Sequence, residues 1–160
     1  MPSAPDDVLT LAGRVVVVTG AGRGIGAATA RLMAGAGAQV ALLDLDAAGV
    51  THTAERIGLE GGEALPFTND ITDAFAVERT FDRVVDEWGR LDVLVNSAGT
   101  LREAALEELT DEDFQEMLDV NLRGVMVCSR AAVPHMLAHR HGRILSAASV
   151  STRVRSFRTA

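Results

Sequence analysis

Four glycines at alternate positions, Gly20, Gly22, Gly24 and Gly26, follow directly on the run Val15-Val16-Val17-Val18-Thr19. Glycine lets a backbone approach a pyrophosphate closely, and a helix starting there would add unpaired N–H groups and a partial positive charge. Asp44 follows 18 residues after Gly26. A carboxylate in that place accepts hydrogen bonds from an adenosine ribose diol and repels a 2′-phosphate. The combination is the chemistry of a dinucleotide site. Further along, Asp70, Asn96, Asn121 and Ser149 bring polar groups to predicted element ends or into a helix. Taken singly, each has a plain structural reading: a helix cap, a bend in a helix, a hydroxyl at a strand end.

Those residues need a scaffold of strands and helices in alternation, and the pattern supplies one. The valine run predicts a buried strand, and Ile25, Ala28 and Leu32 recur at i, i+3 and i+7 in the helix after it. Gly35-Ala36-Gly37 supplies the helix stop, and residues 39–43 read as a second strand, followed by a helix to about Ile57. Residues 64–68 form a third strand, which Pro66 places at a sheet edge. A helix from Thr72-Asp73 carries Val77, Phe81, Val84, Val85 and Trp88 on one stripe, and Gly89 ends it. Residues 91–96 make a fourth strand. An acidic helical segment spans 101–119, and a long helix runs on to about His139 with apolar residues on more than one face. A fifth strand covers 143–148. Strands alternating with helices imply a parallel sheet with right-handed crossovers, in the order 3-2-1-4-5.

Composition narrows the function classes. The chain has 160 residues, 48% hydrophobic and 23% charged, which suits one globular domain. A net charge of −7 argues against nucleic acid or an anionic membrane as partner. No apolar run is long enough for a membrane span, and no secretory signal is read at the N-terminus. The lone Cys128 fits a reducing cytoplasm and reads as a buried small residue. His135 and His139 stand at i, i+4 without a carboxylate to complete a metal set, so they read as a solvated helix end. The acidic run from Glu103 to Asp119 reads as a solvated face.

The segment Thr19-Gly20-x-x-x-Gly24-x-Gly26 resembles the phosphate turn of the short-chain dehydrogenase/reductase family, and further matches follow in the family's order. Asp70, followed by Ile71, resembles its adenine-contacting aspartate. Asn96-Ser97-Ala98-Gly99 resembles its Asn-Asn-Ala-Gly, with Ser97 as a departure. Asn121 resembles its active-site asparagine, and Ser149 its catalytic serine. The resemblance covers about residues 10–150. It implies a Rossmann-type doubly wound α/β sheet, ending here after about five strands, with a leader at 1–13 and a tail at 151–160. It implies Gly20, Arg23, Gly24, Ile25, Gly26, Asp44, Asp70, Ile71, Asn96, Ala98 and Gly99 as cofactor-binding residues. NAD is expected in preference to NADP, because uncharged Leu45 follows Asp44, although Arg23 stands where NADP users often carry a base.

The family moves hydride between the nicotinamide and an alcohol or carbonyl carbon. A tyrosine serves as general acid/base, its high intrinsic pKa lowered by a lysine one helical turn on. The resemblance gives Ser149 the substrate oxygen to position, and Asn121 a water to hold. The 160 residues contain no Tyr, and all 15 basic residues are Arg. The expectation is therefore a nucleotide-binding chain without turnover of its own, a tail unlike the family from a change of reading frame near residues 150–152, and a homo-oligomer left open. The alternatives are a non-catalytic dinucleotide-binding module and a truncated remnant.

Overall fold

The computed structural model describes residues 10–149; the tail at 151–160, the expected frame change and most of the leader fall outside them. Five parallel strands form one sheet: β1 (Val15–Thr19), β2 (Gln39–Asp44), β3 (Glu63–Thr68), β4 (Val93–Asn96) and β5 (Arg143–Ser146), ordered β3-β2-β1-β4-β5. The helices are α1 (Gly24–Gly35), α2 (Ala47–Leu59), α3 (Ala74–Trp88), α4 (Asp111–Leu118) and α5 (Val125–Ala138). A π-helical segment, Asp119–Gly124, joins the last two. The doubly wound architecture and its strand order agree with the sequence reading. Pro66 does lie on an edge strand, the place in a sheet where proline is tolerated.

Alternation along β1 explains the two layers. Val15 and Val17 face one side, with Ala41, Leu43, Leu94, Phe81 and Cys128 in the core under α3 and α5. Val16 and Val18 face the other, with Val40, Leu42, Ala30, Ala34 and Ile57 under α1 and α2. Successive side chains of a strand point to opposite faces, and a strand covered on both faces must therefore be apolar throughout. The stripe on α3 behaves as expected: Val77, Phe81 and Val84 are buried, while Val85 and Trp88 pack partly against them. Asp73 caps that helix by accepting the N–H groups of Phe75 and Ala76, and Gly89 closes it in the left-handed conformation (φ 77°).

Three local expectations are corrected. On α1 the buried face is Gly26, Ala30 and Ala34; Ala28 is exposed, and Ile25 and Leu32 are 75% and 76% exposed. The helix lies so close to the sheet and the glycine turn that its contact face takes only small residues. Residues 101–110 are not helical apart from a turn. The helix starts at Asp111, where Thr110 and Asp113 form a reciprocal capping box that fixes the boundary. β5 stops at Ser146 rather than Ala148.

The long helix is divided by face. Val127, Cys128, Ala131, Ala132 and Met136 are buried, whereas Phe114, Leu122, Met126 and Leu137 are exposed. Burial pushes the Cys128 thiol up to about 12, so it remains a neutral, unreactive core group. His135 reaches Asp82 at 3.4 Å and ties α5 to α3. At the other end of the strands, buried Asp92 gathers the starts of β1, β4 and β5. Its carboxylate accepts from the Val15 N–H (3.0 Å), from Arg14 (2.9 Å) and from Arg90 (2.7 and 2.6 Å). Its backbone N–H donates to the Val15 carbonyl, and its own carbonyl accepts from the Arg143 N–H.

Candidate cofactor cleft

The C-terminal ends of the strands open into a cleft of about 760 Å³, the position at which open α/β sheets place ligands. Gly20, the first residue after β1, has φ 67°, and a Cβ there would stand 2.7 Å from the Ala98 backbone. A Cβ on Gly26 would meet the Gly20 carbonyl oxygen at 2.0 Å. Gly24 faces open space with φ 56°. These positions require glycine for geometry, and together they bring the start of α1 to the cleft floor. Arg23 occupies the N-cap in an extended conformation with no side-chain cap. The helices α2, α3 and α4 are capped by Asp46, Asp73 and Thr110. The first N–H groups of α1 therefore remain available to an anion.

Asp44 stands beside this turn. Its carboxylate accepts the Gly22 N–H at 2.9 Å and the Asp46 N–H at 3.0 Å. Both bonds fix its orientation, and an ionised carboxylate keeps further lone pairs for a diol. At the far end, Asp70 accepts the Thr72 N–H and hydroxyl, each at 2.8 Å, through Oδ1. Ile71 is buried and lines the cleft, packed against Gly124 of the π-helical segment so tightly that a Cβ on that glycine would lie 2.5 Å away. Gly20, Arg23, Gly24, Ile25, Gly26, Asp44, Asp70, Ile71, Ala98 and Gly99 all line this one cleft.

Asn96 is placed differently. It is buried behind the wall, its Nδ2 donating at 3.4 Å to Ser129 and to Ser146, and its Oδ1 has no partner among the described residues. Its successors Ser97, Ala98 and Gly99 form the wall itself. The hydroxyl of Thr19 accepts the N–H groups of Ser97 and Ala98, both at 3.2 Å, and so bolts the end of β1 to that wall. Asn121 lies in the π-helical segment and clasps Thr100 twice: Nδ2 donates to its carbonyl (2.8 Å), and Oδ1 accepts its N–H (2.9 Å). Ser149 is exposed beyond β5 and is not among the described lining residues, which reach Ala147.

Sequence reasoning did not single out Asp46, Asn69, Thr100, Val120 or Ala147, and it read Glu116 as part of a solvated acidic face, yet all six line the cleft. Glu116 and Val120 stand four residues apart, a helical spacing that could have paired them. Asn69 had no signal beyond its place before Asp70. Among the described residues, four carboxylates, Asp44, Asp46, Asp70 and Glu116, line the cleft against a single cation, Arg23. Arg102 offsets Glu116 at 2.9 Å.

A glycine turn under an uncapped helix, a fixed carboxylate at the next strand end and a wall from the fourth strand suit a nicotinamide dinucleotide. The short chain dehydrogenase family model matches residues 14–160. This chain belongs to the short-chain dehydrogenase family. Over 139 residues it is 43% identical to the short-chain reductase protein NovJ of Streptomyces niveus, covering 87% of this chain and 53% of that one. It is 41% identical over 144 residues to D-threitol dehydrogenase of Mycolicibacterium smegmatis, covering 90% and 55%. The chain thus spans about half the length of the curated relatives it matches. A short-chain type dehydrogenase/reductase from Mycobacterium marinum superposes with a TM-score of 0.90 at 33% identity, over 94% of this chain and 62% of that one. A 7α-hydroxysteroid dehydrogenase, solved with NADH and 7-oxo glycochenodeoxycholic acid, superposes with a TM-score of 0.87 at 30% identity, over 93% and 58%. This member of the family has a Rossmann-type sheet, and no helix among its described residues is long and apolar enough to cross a membrane.

Proposed function

We propose that this chain binds NAD, in preference to NADP, in the cleft between Gly20 and Ala147. It contributes the cofactor half of an oxidoreductase acting on alcohol and carbonyl substrates in the cytoplasm. The observation that carries the reading is Asp44, whose carboxylate is locked to Gly22 beside the glycine turn. A 2′-phosphate brought there would face a fixed negative charge in a cleft whose described lining sets one cation against four carboxylates.

In this assignment the N–H groups at the start of α1 hold the pyrophosphate, Asp44 takes the adenosine ribose, and Asp70 with Ile71 flanks the adenine. Ala98 and Gly99 back the nicotinamide ribose. When bound, the nicotinamide supplies the hydride chemistry. Asn121 holds the Thr100 loop in place, and Ser149 is assigned the substrate oxygen. A homo-oligomer through the exposed apolar side of the long helix belongs to the same proposal.

Calorimetry with the 160-residue chain tests the cofactor assignment. NAD is expected to bind at least about tenfold more tightly than NADP. Asp44→Ala is expected to weaken NAD and leave NADP unchanged or improved. Equal affinities in the wild type, or no NAD binding by folded protein, would overturn the assignment.

A further inference from the structure

Asn69 joins three parts of the molecule. Its backbone N–H donates to the Asp44 carbonyl at 2.8 Å, next to the carboxylate assigned to the ribose. Its side-chain Nδ2 donates to the Ala76 carbonyl at 3.1 Å and to the Thr80 hydroxyl at 2.7 Å, both on α3. The residue is 6% exposed and lines the cleft, yet its Oδ1 has no hydrogen-bond partner among the described residues. A polar side chain left half satisfied in a protein interior is unfavourable, and an apolar residue of similar size would avoid that cost.

The next residues explain what the strut achieves. The Asp70 side chain bonds locally, to Thr72, through its Oδ1. The turn is otherwise attached by the packing of Ile71 on Gly124 and by Arg123, which donates to the Thr72 carbonyl at 3.1 Å. Asn69 is thus the residue that sets the depth of this turn relative to both β2 and α3.

We infer that Asn69 is a positioning residue for the adenine edge, holding Asp70 where its carboxylate accepts the exocyclic amine of the base. The inference rests on the cleft being an NAD site. It adds a determinant of base selectivity that lies beneath the cleft, away from the ribose carboxylate. Loosening the strut lets the turn move, and the hydrogen bond to the amine weakens first, since the ribose and pyrophosphate are held by other elements.

The test compares AMP with IMP, which differ at that amine, on the full 160-residue chain. The wild type is expected to favour AMP by about fivefold or more, the size of one buried hydrogen bond. Asn69→Ala is expected to bring the ratio close to one by weakening AMP while IMP changes little. Thr80→Val removes the far anchor and is expected to narrow the ratio in the same direction; Thr80→Ser keeps the hydroxyl and should preserve it. Should Asn69→Ala fail to fold, the Thr80 pair carries the same comparison. Equal weakening of AMP and IMP, an unchanged ratio, or no preference in the wild type would overturn the role of Asn69. Failure of the wild type to bind either nucleotide would instead overturn the cleft assignment, and this inference with it.

Discussion

At the scale of single residues, Asp92 shows how one carboxylate can organise a sheet. It is buried, yet four hydrogen bonds from charged or backbone donors hold it ionised. Burial alone would raise its pKa. The bonds from Arg90, the Val15 N–H and Arg14 outweigh that and hold the carboxyl below the usual aspartate range. A depressed native pKa contributes stability that is fully present above the unfolded value of about 3.9 and is lost as pH falls through the native value. Asp92→Asn keeps the shape and removes the charge, at an expected cost of about 2–3 kcal/mol at neutral pH. Urea midpoints should show that deficit from neutrality down to about pH 4, and the gap to wild type should close below it. A gap that persists unchanged in acid would mean that packing, and not the charge, carries the effect.

Elements were legible where periodicity and caps agreed, and obscure where tertiary contact decided. The valine run, the α3 stripe and Asp73 with Gly89 made their strand and helix readable. On α1 the larger side chains, Ile25 and Leu32, suggested the buried face, whereas close approach to the sheet and the glycine turn reserves that face for Gly26, Ala30 and Ala34. The charged residues of 101–110 suit a helix, and Thr100 with Glu103 has the spacing of a capping box, but the Thr100 backbone is held by Asn121 instead. The π-helical segment had no sequence signal, because an extra residue in a turn is chosen by what it must reach; here Asn121 reaches Thr100. The glycine positions of the cleft were readable from spacing, while Thr19 as a bolt and Asn69 as a strut depended on partners distant in the chain. Gly26→Ala belongs to this scale. Its Cβ would collide with the Gly20 carbonyl, so α1 must move off the turn. The expected result is loss of NAD binding in calorimetry and a melting temperature lower by about 5–10 °C. Retained affinity would show that the turn can yield.

For the molecule as a whole, binding and turnover separate in the proposed function. The glycine turn, Asp44 and the wall line one cleft, whereas the 160 residues include neither Tyr nor Lys to handle the proton that would accompany hydride transfer. Cys128 is neutral and buried, and arginine does not deprotonate near neutrality. The 160-residue polypeptide mixed with NADH and carbonyl compounds should therefore bind nucleotide without a steady loss of NADH absorbance. Sustained turnover that scales with protein concentration would require another proton donor in this chain. Among the described residues, β5 meanwhile pairs with β4 on one side only, and Ile144 and Leu145 are 41% and 49% exposed. An open strand edge with apolar side chains is a template for further pairing.

Every described residue lining the cleft falls between Gly20 and Ala147, and this ordering bears on synthesis. A polypeptide leaves the ribosome from its N-terminus, so these lining residues are all available once Ala147 has emerged, without waiting for the emergence of any residue that follows it. A nucleotide captured at that moment would stabilise the nascent sheet by mass action. A dinucleotide bound there would then act as a template for folding during synthesis, independent of any turnover.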